Sequence, residues 1–67
     1  MCRNIRKLRN SEQPASDEEI RDAALQFVRK VSGYRVPSKT NREAFERAVG
    51  QVTGSVRELL DTLETAR

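Results

Sequence analysis

The chain has 67 residues and a formal net charge of +3, from 13 basic and 10 acidic residues, and it contains a single cysteine and no histidine. An intramolecular disulfide is therefore excluded, the ligands of a zinc site are missing, and no Ser-His or Cys-His couple can form for nucleophilic catalysis. A chain of this length makes one domain, here 1–67, and buries only about 60% of the surface that its unfolded form exposes. Since small domains compensate with disulfides, a metal or a second chain, we expect no metal, no cofactor and a homodimer.

The sequence also predicts where the protein acts. No apolar run approaches the roughly 18 residues needed to span a bilayer, and the first residues are charged without an apolar signal segment. We therefore expect no membrane contact and a cytoplasmic location, with which a single free thiol is compatible.

Residues 1–15 are interpreted as a basic arm followed by a linker. Ile5 and Leu8 are spaced three apart, so that both would lie on one side of a helical turn, and we predict that the arm docks through them. The segment is too short to hold a helix alone. Pro14, among small polar residues, is typical of a linker.

A first helix is predicted over 16–33. Ser16 and Glu19 have the spacing of a capping box, acidic residues fill the first turn, and Gly33 is placed to end the helix. Leu25 lies off the apolar stripe, so we expect it either to pack under the arm or to mark a second contact. The stripe expected to face the second helix repeats at spacings of three and four and consists of Ile20, Ala23, Ala24, Phe27, Val28 and Val31.

A second helix is predicted over 38–65, after a loop short enough to require an antiparallel return. Ser38 and Thr40 are rival N-caps, the latter in a second capping box with Glu43. Gly50 and Gly54 lie inside this segment, so the alternatives are one continuous helix or a break that makes three helices. An unbroken apolar stripe about 100° wide favours one helix. Its members are Phe45, Ala48, Val49, Val52, Val56, Leu59, Leu60 and Leu63.

The predicted fold is all-α, an antiparallel helical hairpin with an N-terminal arm, dimerised into a four-helix arrangement. At 1.5 Å per residue the second helix would be about 38 Å long and the first about 24 Å, so the leucines at the end of the second helix overhang. The candidate self-interface consists of Ile5, Leu8, Val56, Leu59, Leu60 and Leu63.

The most distinctive strings are Met-Cys-Arg-Asn-Ile at 1–5 and Val-Arg-Lys-Val-Ser-Gly at 28–33. Together with Asp-Glu-Glu-Ile-Arg at 17–21 and the leucine pair at 59–60, they resemble a family of short bacterial proteins classed as a domain of unknown function. The similarity covers nearly the whole chain. The resemblance implies a bacterial, cytoplasmic protein that stands alone as a small domain, and it implies no activity, cofactor or substrate.

Basic residues cluster on the arm and around the interhelix loop, which indicates an anionic partner. The leading hypothesis is a non-catalytic binding module that contacts RNA or DNA, although the same cations could simply solvate helix faces and stabilise terminal carbonyls. Tyr34 offers one aromatic ring, too few for a single-strand stacking platform. The candidate anion-binding residues are Arg3, Arg6, Lys7, Arg9, Arg29, Lys30, Arg35 and Lys39.

Two other functions are compatible with the sequence. The apolar face of the long helix could accept a helix from a different protein, which would make the domain a protein interaction module. Alternatively, Cys2 beside Arg3 and Arg6 could be a reactive thiolate and act as a thiol-based sensor, against the simpler interpretation of an unreactive terminal residue.

Overall fold

The computed structural model describes residues 7–9 and 13–63. Within these ranges the chain forms two helices and no strand, α1 over Asp17–Ser32 and α2 over Arg42–Thr62. The two helices pack against each other and are joined by a loop, residues 33–41. The predicted all-α helical hairpin is therefore confirmed. The described ranges leave out four residues of the arm to which roles were assigned, Cys2, Arg3, Ile5 and Arg6. The predictions that depend on these residues stay predictions.

The capping box at the start of α1 is present. The Ser16 hydroxyl accepts a hydrogen bond from the Glu19 N–H at 3.1 Å, and the Glu19 carboxylate accepts one from the Ser16 N–H at 2.9 Å. At the other end Gly33 adopts the left-handed conformation, with φ of 82°, and its N–H donates to the Arg29 carbonyl at 2.9 Å. Both ends of α1 are thus capped by residues next to them in the sequence, and these caps pair backbone groups that have no partner within the helix.

The start of α2 differs from the prediction. The helix begins at Arg42, and its N-cap is Asn41, without a side-chain capping hydrogen bond. The Ser38 carbonyl accepts from the Asn41 N–H at 3.1 Å, which closes a turn ahead of the helix. Asn41 has φ of −101° and ψ of 6°, not the extended conformation from which a side chain reaches the next turn. The predicted capping box at Thr40 is therefore wrong.

The second helix is continuous through both of its glycines. Gly50 and Gly54 lie within Arg42–Thr62, and a Cβ atom added at either position would meet open space. Neither glycine is required by close packing, and the interpretation with three helices is wrong for the described residues.

The core lies between the helices and is small. Ala24 and Val28 of α1 form a buried cluster with Phe45 and Val49 of α2, and Ile20 is also buried. Partly buried side chains packed against the cluster are Leu25, Ala48 and Val52.

Ala23, Phe27 and Val31 are corrections to the predicted core. Ala23 is exposed because it lies about 100° around the helix from the buried Ala24. Phe27 and Val31 were expected to face α2, but they are 55% and 69% exposed. Neighbouring residues lie about 100° apart around a helix, so pointing Val28 at α2 places Phe27 at the edge of the contact, beside Phe45 and Ala48 but still largely exposed. Leu25, predicted to lie off the stripe, instead contacts the core cluster.

One ion pair connects the two helices far from the loop. The Arg57 guanidinium of α2 contacts the carboxylate of Asp17, the first residue of α1. In the described part of the chain, neither helix combines the length and apolar character needed to cross a membrane.

Candidate anion-binding site

Three of the four predicted loop cations line one concavity at the C-terminal end of α1. Arg29 and Lys30 come from the last turn of the helix and Arg35 from the loop that follows. The remaining lining consists of Gln26, Gly33 and Tyr34, and the concavity has a volume of about 540 Å³. Lys39, the fourth predicted loop cation, is exposed and does not line it. We call this concavity the basic pocket.

The loop side of the basic pocket is held in place by hydrogen bonds. Arg29, which is half-buried, donates from Nε to the Arg35 carbonyl oxygen at 3.0 Å. The Tyr34 N–H donates to the Ser32 hydroxyl at 3.1 Å, and Asn41 donates from Nδ2 to the Tyr34 hydroxyl at 3.2 Å. Because these bonds fix the path of the loop, less conformational freedom is lost when a ligand binds.

The charge of the basic pocket is uncompensated within its own lining. Among the described residues that form it there are three cations and no aspartate or glutamate. Lys30 and Arg35 are exposed, so a ligand can reach their charged ends.

A structural role explains only some of these cations. Arg29 and Lys30 lie where the helix dipole favours positive charge, an effect worth about 0.3–1 kcal/mol for an exposed group. Arg35 lies beyond the end of α1 and accepts a hydrogen bond there only through its backbone carbonyl. The Arg35 guanidinium is therefore the cation that helix stabilisation accounts for least.

The described part of the arm does not contribute to the basic pocket. Lys7 and Arg9 are exposed and Leu8 is half-buried, and none of the three lines the concavity. The expectation that the basic arm and the loop both contact an anionic partner stays a prediction.

A second concavity, which we call the apolar groove, borders the basic pocket. Its volume is about 460 Å³, and Tyr34 lines both concavities. Sequence reasoning missed this groove because it placed Phe27 and Val31 in the core. The sequence did contain a signal of this groove. The apolar residues of α1 are spread over about 200° around the helix axis, with Ala23 at one edge and Leu25 at the other, and contact with a single helix covers less than that.

The leucine end of α2 is only partly covered. Leu59 and Leu63 are 52% and 44% exposed, whereas Val56 and Leu60 are half-buried. Val56 and Leu59 also line a shallow depression of about 310 Å³ with Gln51, Val52 and Ser55. The self-interface predicted at these leucines stays a prediction.

Within the described ranges, no three histidine, cysteine, aspartate or glutamate residues gather where they could hold a metal ion.

The fold and site together define a small all-α protein, a two-helix hairpin with a cationic concavity at its loop. The chain belongs to the family of uncharacterised conserved proteins DUF2277, whose family model matches residues 1–67. The resemblance to a family of unknown function is thereby confirmed. No curated protein and no solved structure matches the chain.

Proposed function

We propose that this protein is a non-catalytic binding module that holds the phosphate groups of RNA or DNA in the basic pocket. The observation that carries the proposal is the convergence of Arg29, Lys30 and Arg35 on one concavity whose lining includes no acidic residue among those described. Its volume of about 540 Å³ lies within the range of ligand-binding clefts. A nucleic-acid partner also fits the cytoplasmic location that we predict from the sequence.

The chemistry of the three cations suits phosphodiesters. A guanidinium presents paired N–H donors that match two phosphate oxygens, and arginine is favoured where such bidentate contacts occur. Lys30 adds a point charge, while Arg29 keeps further N–H donors after its Nε bond to the Arg35 carbonyl. Phosphate contacts carry no sequence information, so the proposed binding is insensitive to base sequence and strongly dependent on salt.

The test compares cations inside and outside the basic pocket. Lys30→Ala and Arg35→Ala remove exposed cations without removing the Arg29 hydrogen bond to the loop. Arg21→Ala is the matched control, because Arg21 is an exposed cation of the same helix outside the lining and its loss changes the net charge equally.

Binding is measured by fluorescence anisotropy with labelled single-stranded RNA and duplex DNA over a salt series. Each pocket substitution should weaken binding by about five- to tenfold near 0.1 M salt and lower the slope of log K against log salt by about one. Arg21→Ala should have less than half of that effect on log K.

Equal losses in all three variants would contradict the proposal, since they would indicate a response to net charge alone. No binding of either nucleic acid would also contradict it. Equally effective competition by polyglutamate would identify an acidic polypeptide as the ligand instead. The RNA and DNA series determine which nucleic acid the pocket prefers.

The two other functions predicted from the sequence have less support. Exposed Leu59 and Leu63 favour a protein interaction module, but the depression that Leu59 lines has a volume of about 310 Å³ and is smaller than the two concavities near the loop. The thiol sensor depends on Cys2, which lies outside the described residues.

A further inference from the structure

The apolar groove is part of a broad face that has no charged lining residue among those described. The face combines an exposed part of α1 with the first half of α2, and it continues along α2 because Val52 also lines the neighbouring depression with Leu59. The groove residues that matter below are Phe27, Val31, Tyr34, Ala44, Ala48 and Val52.

The shape of this face is complementary to itself. Phe27 and Val31, four residues apart on α1, are mostly exposed and form a ridge. Ala44 and Ala48, four residues apart on α2, have the smallest side chains of the groove and form a depression beside that ridge. Both pairs have the same rise of about 6 Å, so the ridge of one molecule matches the depression of another in length.

We infer that a second copy of this chain packs on the apolar groove, forming a two-fold four-helix dimer near the loop. In such a dimer each ridge fills the depression of the other molecule, and every contact occurs twice, as two-fold symmetry requires. A lone helix from a different protein could fill the depression, but it would leave the Phe27–Val31 ridge uncovered unless it carried a depression of its own. This chain supplies both.

The size and charge of the face also fit a second copy. Two helices side by side, paired over the length of α1, make a face about 24 Å by about 20 Å, or about 480 Å² before side-chain relief is counted, so the proposed dimer interface lies at the small end of specific interfaces. Each molecule carries +3, yet the described groove lining brings no charge to the contact. The inference is independent of anion binding, and its test uses no anionic ligand.

The decisive comparison is Val31→Lys against Val36→Lys. The two valines are almost equally exposed, at 69% and 70%, but only Val31 lines the apolar groove. Loss of one interface hot spot raises a Kd about 30-fold, and a two-fold dimer carries each substitution in both chains. Val31→Lys should therefore raise the dimer Kd about a thousandfold. Val36→Lys should leave it within about threefold.

The mass is measured by sedimentation velocity from micromolar to millimolar chain, with circular dichroism of every variant to follow helix content. At the lower end of this range the parent chain and Val36→Lys should have twice the chain mass of 7.7 kDa, whereas Val31→Lys and Phe27→Lys should have the single mass there and associate only toward the upper end. The melting temperature of the parent should also rise with chain concentration, which requires no variant.

A monomeric parent over this range, with a melting temperature independent of concentration, would overturn the inference, whether or not the chain then captures another protein. Survival of the dimer in both Val31→Lys and Phe27→Lys would overturn it as well. Leu63→Lys separates this interface from the one predicted at the leucine end, because Leu63 lies outside the groove lining. Loss of the dimer in Leu63→Lys alone would assign the interface to the leucines.

Discussion

Gly33 determines where α1 ends. Its φ of 82° is a conformation that costs a residue with a side chain roughly 1–2 kcal/mol, and its N–H pairs with the Arg29 carbonyl. A Cβ atom at this position would meet nothing within 4 Å, so the cost of a substitution comes from the backbone and not from a clash. The same residue starts the loop that forms one side of the basic pocket.

We therefore predict that Gly33→Ala lowers the free energy of unfolding by about 1 kcal/mol. The measurement is urea denaturation followed by circular dichroism at one fixed chain concentration. Gly33→Asn is the control, because asparagine tolerates the left-handed conformation better and should cost less than alanine. Equal stability of the parent and Gly33→Ala would mean that the backbone at this position relaxes without cost.

In contrast to Gly33, the two glycines of α2 are expected to lower the stability of the helix that contains them. Gly50 and Gly54 lie in a regular helix with open space where a Cβ atom would be, so neither a turn nor a close approach requires them. A glycine inside a helix is less favourable than alanine by about 0.8–1.0 kcal/mol because more backbone freedom is lost on folding.

Gly54→Ala should accordingly raise the free energy of unfolding by up to about 1 kcal/mol, and Gly50→Ala by a similar amount. The same denaturation experiment gives both values, and Gly33→Ala serves as the control of opposite sign. A decrease in stability for either α2 variant would show that an unseen close contact occupies that side of the helix.

The accuracy of the sequence predictions differed between the elements for physical reasons. The ends of α1 were predictable because Ser16, Glu19 and Gly33 act locally, each through backbone within four residues. The start of α2 was not, because Asn41 takes its conformation from a turn with Ser38 and its side chain is bonded to Tyr34 across the loop. Periodicity found the apolar residues of both helices but could not choose which of them face each other.

The sequence also predicted only part of the candidate site. The sequence placed Arg29, Lys30 and Arg35 near one loop, and the structure brings these three to one concavity. The hydrogen bond from Arg29 to the Arg35 carbonyl depends on the path of the loop, which no local pattern encodes. The apolar groove was missed because its existence depends on the rotation of α1 about its own axis.

On the scale of the whole molecule, the hairpin is a single layer of two helices, and only a few side chains between them are buried. Domains usually bury apolar surface between two layers, and in the described part of this chain several large apolar side chains, among them Phe27, Val31 and Leu59, stay more than half exposed. The loop closes one end of the layer, and the Arg57–Asp17 ion pair connects the helices far from it.

Asp17→Asn should lower the free energy of unfolding by at most about 1 kcal/mol, since the carboxylate is largely exposed and such pairs contribute modestly. The substitution also removes a first-turn acid, so Glu18→Gln is the control for the helix dipole. The difference between the two variants should shrink in 1 M salt, which screens exposed charges. A difference that persists in high salt would contradict an electrostatic origin.

Tyr34 gives the molecule an internal optical probe. The chain contains one tyrosine and no tryptophan, so near-ultraviolet emission excited at the tyrosine band comes from this ring. Because the ring borders both the basic pocket and the apolar groove, the proposed phosphate binding and the proposed pairing of two chains would each change its surroundings. Unlabelled protein can therefore test both proposals, and titrations against salt and against chain concentration separate the two signals.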